Sequence, residues 1–253
     1  MRGLNWLKYT LFIWLSLLPY QAQADSALIA VASNFTLTMK ALIARFHADT
    51  PHTLRVSFAS SGKLYAQIKN GAPFDLLLSA DQVIPQKLLG EGNAVPTTQM
   101  TYAVGKLALW SSDPTVVDAK GDVLHSSKMN KLALANPKLA PYGFAAIEVL
   151  KNLNVYASTK PSWVQGENIG QTYQFVRTGN ANLGFVALSQ VHNNQQPING
   201  SVWEVPDHLY SPIKQDLVVL NKGKDNAAVS AFLKYLNLPK TQKLIQSYGY
   251  HTQ

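Results

Sequence analysis

The 253-residue chain is 47% hydrophobic and contains no cysteine, so disulfides, thiolate metal sites and a lipid-modified N-terminal cysteine are excluded. Its formal charge is +8, but the 18 lysines are scattered singly and no basic cluster is interleaved with aromatic residues. They read as solvated side chains, and nucleic acid is not an expected partner.

Residues 1–24 have the pattern of a cleaved secretory signal. Arg2 and Lys8 flank a short n-region, an apolar stretch runs from Tyr9 to Leu18, and Ala22-Gln23-Ala24 supplies an A-x-A cleavage site. The apolar stretch is short of the roughly 20 residues a membrane span requires. Cleavage leaves 229 residues, enough for two α/β lobes, with a charge of +6. An exported chain without cysteine is expected to be a free soluble protein of the periplasm.

Downstream, apolar runs of strand length alternate with helical spacing, which predicts an α/β architecture with mostly parallel sheets. Ala27–Ala32 runs into Ser33 and Asn34, ahead of a helix whose Met39, Leu42, Ile43 and Phe46 fall at i, i+3, i+4 and i+7. Leu54–Phe58 runs into Ser60, Ser61 and Gly62. Leu64 and Ile68 then share a helical face that Gly71 closes and Pro73 ends. Leu76–Leu78 is apolar without alternation, as in a strand covered on both faces, and Asp75 and Asp81 bracket it in turn or capping positions. Lys106–Trp110 predicts another strand. Leu132–Ala135 leads through Asn136 and Pro137 to Pro141, Tyr142 and Gly143 before a helix at Phe144–Leu150. Asn168, Ile169 and Gly170 open a helix reaching Arg177. Leu217–Leu220 predicts a strand, and two helices separated by Pro239 complete the chain.

Four of these strand ends hand over to helix starts through small polar or glycine residues, with no cation at the junction. A helix start has backbone N–H groups without partners and the positive end of the macrodipole, so several starts aimed at one point make a seat for an anion. Side-chain capping explains any one junction equally well. Other chemistry finds little support. The six histidines show no ligand spacing, so no metal site is expected, and neither glycine-rich nucleotide motif occurs. Ser61 sits at a turn where a hydrolase nucleophile could stand, but there is no G-x-S-x-G and no identifiable base. The chain therefore reads as a binding protein and not an enzyme, with a serine hydrolase using Ser61 as the remote alternative. Arginine is scarce, so a bidentate fork on the ligand is not expected.

Ala30-Val31-Ala32-Ser33, Phe58-Ala59-Ser60-Ser61, the run Gly71–Asp81 and Leu183-Gly184-Phe185-Val186 together resemble the periplasmic molybdate-binding proteins of ABC transporters. The resemblance implies a two-lobed type II periplasmic binding fold. Each lobe would be a mostly parallel sheet flanked by helices, with two crossing strands as hinge: residues 25–104 plus 214–253 in lobe I and 105–213 in lobe II. It implies no cofactor, molybdate or tungstate as ligand, a membrane permease as partner, and a monomer. Ser33 and Ser61 match the family's two hydroxyl ligands. Ile169 matches a position giving its backbone N–H, and Tyr142 one that usually gives backbone N–H alone. One departure stands out: Ala187 occupies a position where many members have tyrosine. The Tyr142 hydroxyl and Asn34 are the expected replacements for that donor. Glu167, beside Asn168, would repel a dianion if it faced the cleft. Another tetrahedral oxyanion such as sulfate, or a small organic solute, remains open on the residues alone.

Overall fold

The computed structural model describes residues 24–192 and 199–252; the predicted signal segment, apart from Ala24, lies outside them. Two five-stranded sheets form two lobes. In sheet I the order is β2 (Thr53–Ala59), β1 (Ser26–Ala32), β3 (Leu76–Leu78), β10 (Ile213–Val219), β4 (Met100–Gly105). In sheet II it is β7 (Trp163–Gly166), β6 (Leu132–Ala135), β8 (Leu183–Ala187), β5 (Leu107–Ser111), β9 (Ser201–Glu204).

Four strands of each sheet run one way, and the fifth is reversed. The reversed strand is β10 in sheet I and β5 in sheet II, each antiparallel to both its neighbours. These are the strands that arrive from the other lobe. The chain leaves sheet I after Gly105, enters sheet II at Leu107, and returns to sheet I at Ile213. Each crossing therefore inserts one strand into the middle of the sheet it joins.

The central strands are buried on both faces, which explains their unbroken apolar runs. In sheet I, Ile29, Val31, Leu76 and Leu78 pack on one face beneath Met39, Leu42 and Phe46 of α1 (Thr36–Asp49) and Phe232 of α8 (Ala227–Leu236). Ala30, Leu77 and Val218 pack on the other, against Leu64 and Ile68 of α2 (Ser61–Lys69) and Leu88 of α3 (Val83–Gly90). Sheet II repeats the arrangement. Leu132, Leu134 and Phe185 meet Ala146 and Val149 of α4 (Pro141–Asn152), while Ala133 and Val186 meet Val176 of α6 (Ile169–Arg177). Three further helices, α5 (Tyr156–Thr159), α7 (Leu188–Val191) and α9 (Pro239–Ser247), lie among the described residues. Gly71, at φ +83°, closes α2 in the left-handed region as its position predicts.

Two of the spans that differ from the sequence reading bear on the gap between the lobes. Helix α4 begins at Pro141 and not at Phe144, because proline suits a first helical turn, and this places Tyr142 at the helix's second position. Strand β10 extends back to Ile213, and its first half is hidden from pattern reading by Lys214, Gln215 and Asp216.

Candidate functional site

In parallel sheets the carboxyl ends of the strands all point the same way, and ligands bind outside those ends. Here the ends of β1 and β2 face those of β6 and β7 across the gap between lobes. Ser33, Asn34, Ser61, Tyr142 and Ile169, drawn from four junctions in two lobes, line one small cavity of about 10 Å³, about the space a single water takes. Ser60 lines it too. None of the residues lining it is charged.

Ordinary side-chain capping accounts for only one of these junctions. No side-chain cap hydrogen bond closes the turn Ser33–Phe35, α1, α2 or α4; among the four handovers only Asn168 caps its helix, accepting from Gln171 N–H at 3.0 Å. The Ser61 hydroxyl oxygen accepts Ala80 N–H at 3.0 Å, which leaves its proton available. The Ser60 hydroxyl is buried without a partner. Tyr142 and Ile169 stand in the first turns of α4 and α6, where backbone N–H groups have no intrahelical acceptor. A Cβ at Gly170 would press on the capping Asn168 Oδ1 at 3.0 Å and would stand in ordinary contact, at 3.5 Å, with the Cβ of Ser33 in the other lobe.

Behind the cavity lies a fully buried polar cluster that the sequence did not disclose. The Asn34 side chain donates to Gln215 Oε1 at 2.9 Å and to Tyr250 Oη at 3.0 Å, so both its N–H groups are committed. Of the donors expected at Asn34, the backbone N–H is the one left. Gln215 donates to Tyr142 Oη at 3.0 Å, and its Oε1 shares the Tyr102 hydroxyl proton, at 3.0 Å, with the Ser79 carbonyl at 2.9 Å. The Asn34 carbonyl accepts from Tyr250 Oη at 3.0 Å and from Ser189 Oγ, across the lobes, at 3.1 Å. Burial holds the Tyr142 hydroxyl well above the usual tyrosine range, so it stays protonated. Ala187 contributes no hydroxyl, and its backbone N–H is taken by Gln190 Oε1 at 2.9 Å.

Glu167 does not line the cavity. It forms an ion pair with Lys63 of the opposite lobe, beside the hydrogen bond from Gly62 N–H to Leu139 C=O at 2.9 Å that also spans the gap. No histidine, carboxylate or lysine adjoins Ser61 in the cavity, so nothing there takes its proton. Among the described residues no cluster of three or more His, Asp or Glu is placed to hold a metal ion.

Comparison with known proteins shows the family. The family model for bacterial extracellular solute-binding proteins matches residues 27–251. The molybdate-binding protein ModA of Azotobacter vinelandii is 50% identical over 237 residues, 94% of each chain. That of Rhodobacter capsulatus is 48% identical over 236 residues, covering 93% of this chain and 92% of its own. The solved structure of the Azotobacter vinelandii periplasmic molybdate-binding protein superposes with a TM-score of 0.87 at 37% identity, over 90% of this chain and 99% of that one.

Proposed function

The chain belongs to the bacterial extracellular solute-binding proteins, and from that premise we propose that it is the periplasmic binding component of an ABC importer that carries molybdate, and tungstate, in the cleft between its lobes. The observation that carries this reading is the convergence of uncharged donors, from both lobes, on one small cavity. The donors are the hydroxyls of Ser33, Ser61 and Tyr142 and the backbone N–H groups of Asn34, Tyr142 and Ile169.

Such a set suits a fully ionised tetrahedral dianion, because every ligand oxygen accepts and none needs an acceptor from the protein. Hydrogen phosphate carries a proton that would want a carboxylate or carbonyl, and no carboxylate lines the cavity. Both lobes contribute, so the bound anion favours the closed form through contacts made only there. The closed monomer would then deliver its cargo to the membrane permease. Molybdenum enters only as the oxyanion, without a cofactor.

A thermal-shift panel tests the reading. Molybdate or tungstate at a hundredfold excess over Kd should add about 2.7 kcal/mol, a rise of several degrees in Tm, while phosphate should add little. The response should be flat from about pH 6 to 9, since no titratable group besides the strongly held phenol of Tyr142 lines the cavity. Stabilisation by sulfate alone, or by none of the four anions sulfate, phosphate, molybdate and tungstate, would overturn the assignment to molybdate.

Lys63 would serve here by neutralising Glu167. Lys63→Met should weaken molybdate binding only about two- to fivefold at low ionic strength, and the difference should vanish in high salt, because both side chains are nearly half exposed. Titration calorimetry at two salt concentrations checks this.

A further inference from the structure

We infer that the groove on the α1–α6 side of the cleft is the vestibule through which the dianion arrives, and that Lys40 and Arg177, one from each lobe, are the charges that draw it in. The inference rests on the anion-binding reading above and concerns the rate of capture, which the neutral donors of the cavity do not set.

Two larger grooves between the lobes adjoin the cavity. One shares Ala80, Ala140 and Pro141 with it. The walls of that groove include the exposed Val83, Leu139 and Phe144, and its formal charges cancel, with Lys138 and Lys214 set against Asp81 and Glu148. The other groove shares Ser33 and Asn34 with the cavity and is also lined by Gly170, the neighbour of Ile169. It holds about 370 Å³, space for an ion with its water shell, where the cavity has about 10 Å³. Its charged residues are Lys40, on α1 of one lobe, and Arg177, the last residue of α6 of the other, and no carboxylate lines it.

Neither cation is spent inside the protein. The ion pairs among the described residues belong to Lys63, Lys69, Lys106, Lys222 and Lys240. Arg177 donates through Nε to Gln174 Oε1 at 3.0 Å, a neutral partner that leaves its charge uncompensated. Both side chains are exposed and therefore hydrated, so they attract an anion without holding it tightly. Helix α6 sets its first residue, Ile169, at the cavity and Arg177 roughly 12 Å further along its axis. That distance is well inside the screening length of dilute salt and beyond that of concentrated salt, so the attraction is a salt-dependent rate effect. A dianion also feels each cation twice as strongly as a monoanion does. The cleft thus divides two tasks: solvated cations at one lip raise the frequency of encounter, and uncharged donors inside replace the water shell.

Stopped-flow mixing with molybdate tests the assignment. Intrinsic fluorescence is the signal, since Trp110 stacks at 5.1 Å on Tyr173, which lines the vestibule. Lys40→Gln combined with Arg177→Gln should lower kon about fivefold at about 10 mM salt, leave koff unchanged, and match the unmodified protein above about 0.5 M salt. Lys138→Gln combined with Lys214→Gln removes the same charge from the other groove and should lower kon less than about twofold. Where the fluorescence is silent, Kd from titration calorimetry compares the two pairs, with a rise of about fivefold expected for the first and less than about twofold for the second. Equal losses in the two pairs, no loss in the first, or a loss carried by koff overturns the vestibule. If the unmodified protein gives no heat with molybdate, the anion-binding reading itself falls, and this assignment with it.

Discussion

Replacing Ser61 by alanine is expected to weaken molybdate binding about 30- to 150-fold, the equivalent of 2–3 kcal/mol for a hydrogen bond to a charged partner lost from a dry site. Ser61 is 1% exposed, stands at the first position of α2 and lines the cavity. Its oxygen already accepts Ala80 N–H, so its proton is free for the guest. The substitution has a second effect that needs no ligand. Ala80 N–H is left buried without an acceptor, so the unliganded protein should also lose about 1–3 kcal/mol of stability. Calorimetry and a denaturant melt separate the two. A stability loss with affinity changed less than about threefold would show that the Ser61 hydroxyl serves the fold and not the guest.

Gly105→Ala should act more severely on binding although Gly105 does not itself line the cavity. Gly105 ends β4 at the crossing between lobes, and a Cβ there would lie 2.0 Å from Tyr142 Oη and 2.5 Å from Gln215 Nε2. Both are tips of fully buried side chains in a filled cluster, so neither can step aside cheaply. The displaced phenol would carry α4, and with it the backbone N–H of Tyr142, away from Ser33 and Ser61. We expect affinity to fall by more than about a hundredfold, with each lobe still folded, because closure and donor convergence fail together. Small-angle scattering should show that molybdate no longer contracts the variant. An alanine variant that binds and contracts normally would refute the close approach at this crossing.

The sequence disclosed the residues that line the cavity better than it disclosed those packed behind them. Ser33, Asn34, Ser61, Tyr142 and Ile169 each follow an apolar run at a strand end, and parallel strands bring such ends together whatever the details of packing. Local pattern was sufficient for those five. It failed for Gln215, Tyr102, Ser189 and Tyr250, whose partners within the cluster lie 61 to 216 residues away. A glutamine between Lys214 and Asp216 carries no apolar period, so the strand that bears it looks like a loop until β3 and β4 are seen on either side. The Asn34 side chain was legible as a donor but not as one already engaged, since the acceptor that engages it comes from that same strand. Glu167 likewise read as a threat to an anion only because its counter-ion, Lys63, belongs to the other lobe.

The insertion of β10 between β3 and β4 has a consequence for biogenesis. Until residues 213–219 emerge, β4 has no neighbour to pair with, and the bridge between Val104 and His251 waits for almost the last residue described. The β5–β9 sheet is built from one continuous stretch and can assemble early, whereas the lobe containing both chain ends is assembled last, by long-range closure. A chain made from its N-terminus therefore stays incomplete, and unable to lock prematurely, until residues 213–219 are available to pair.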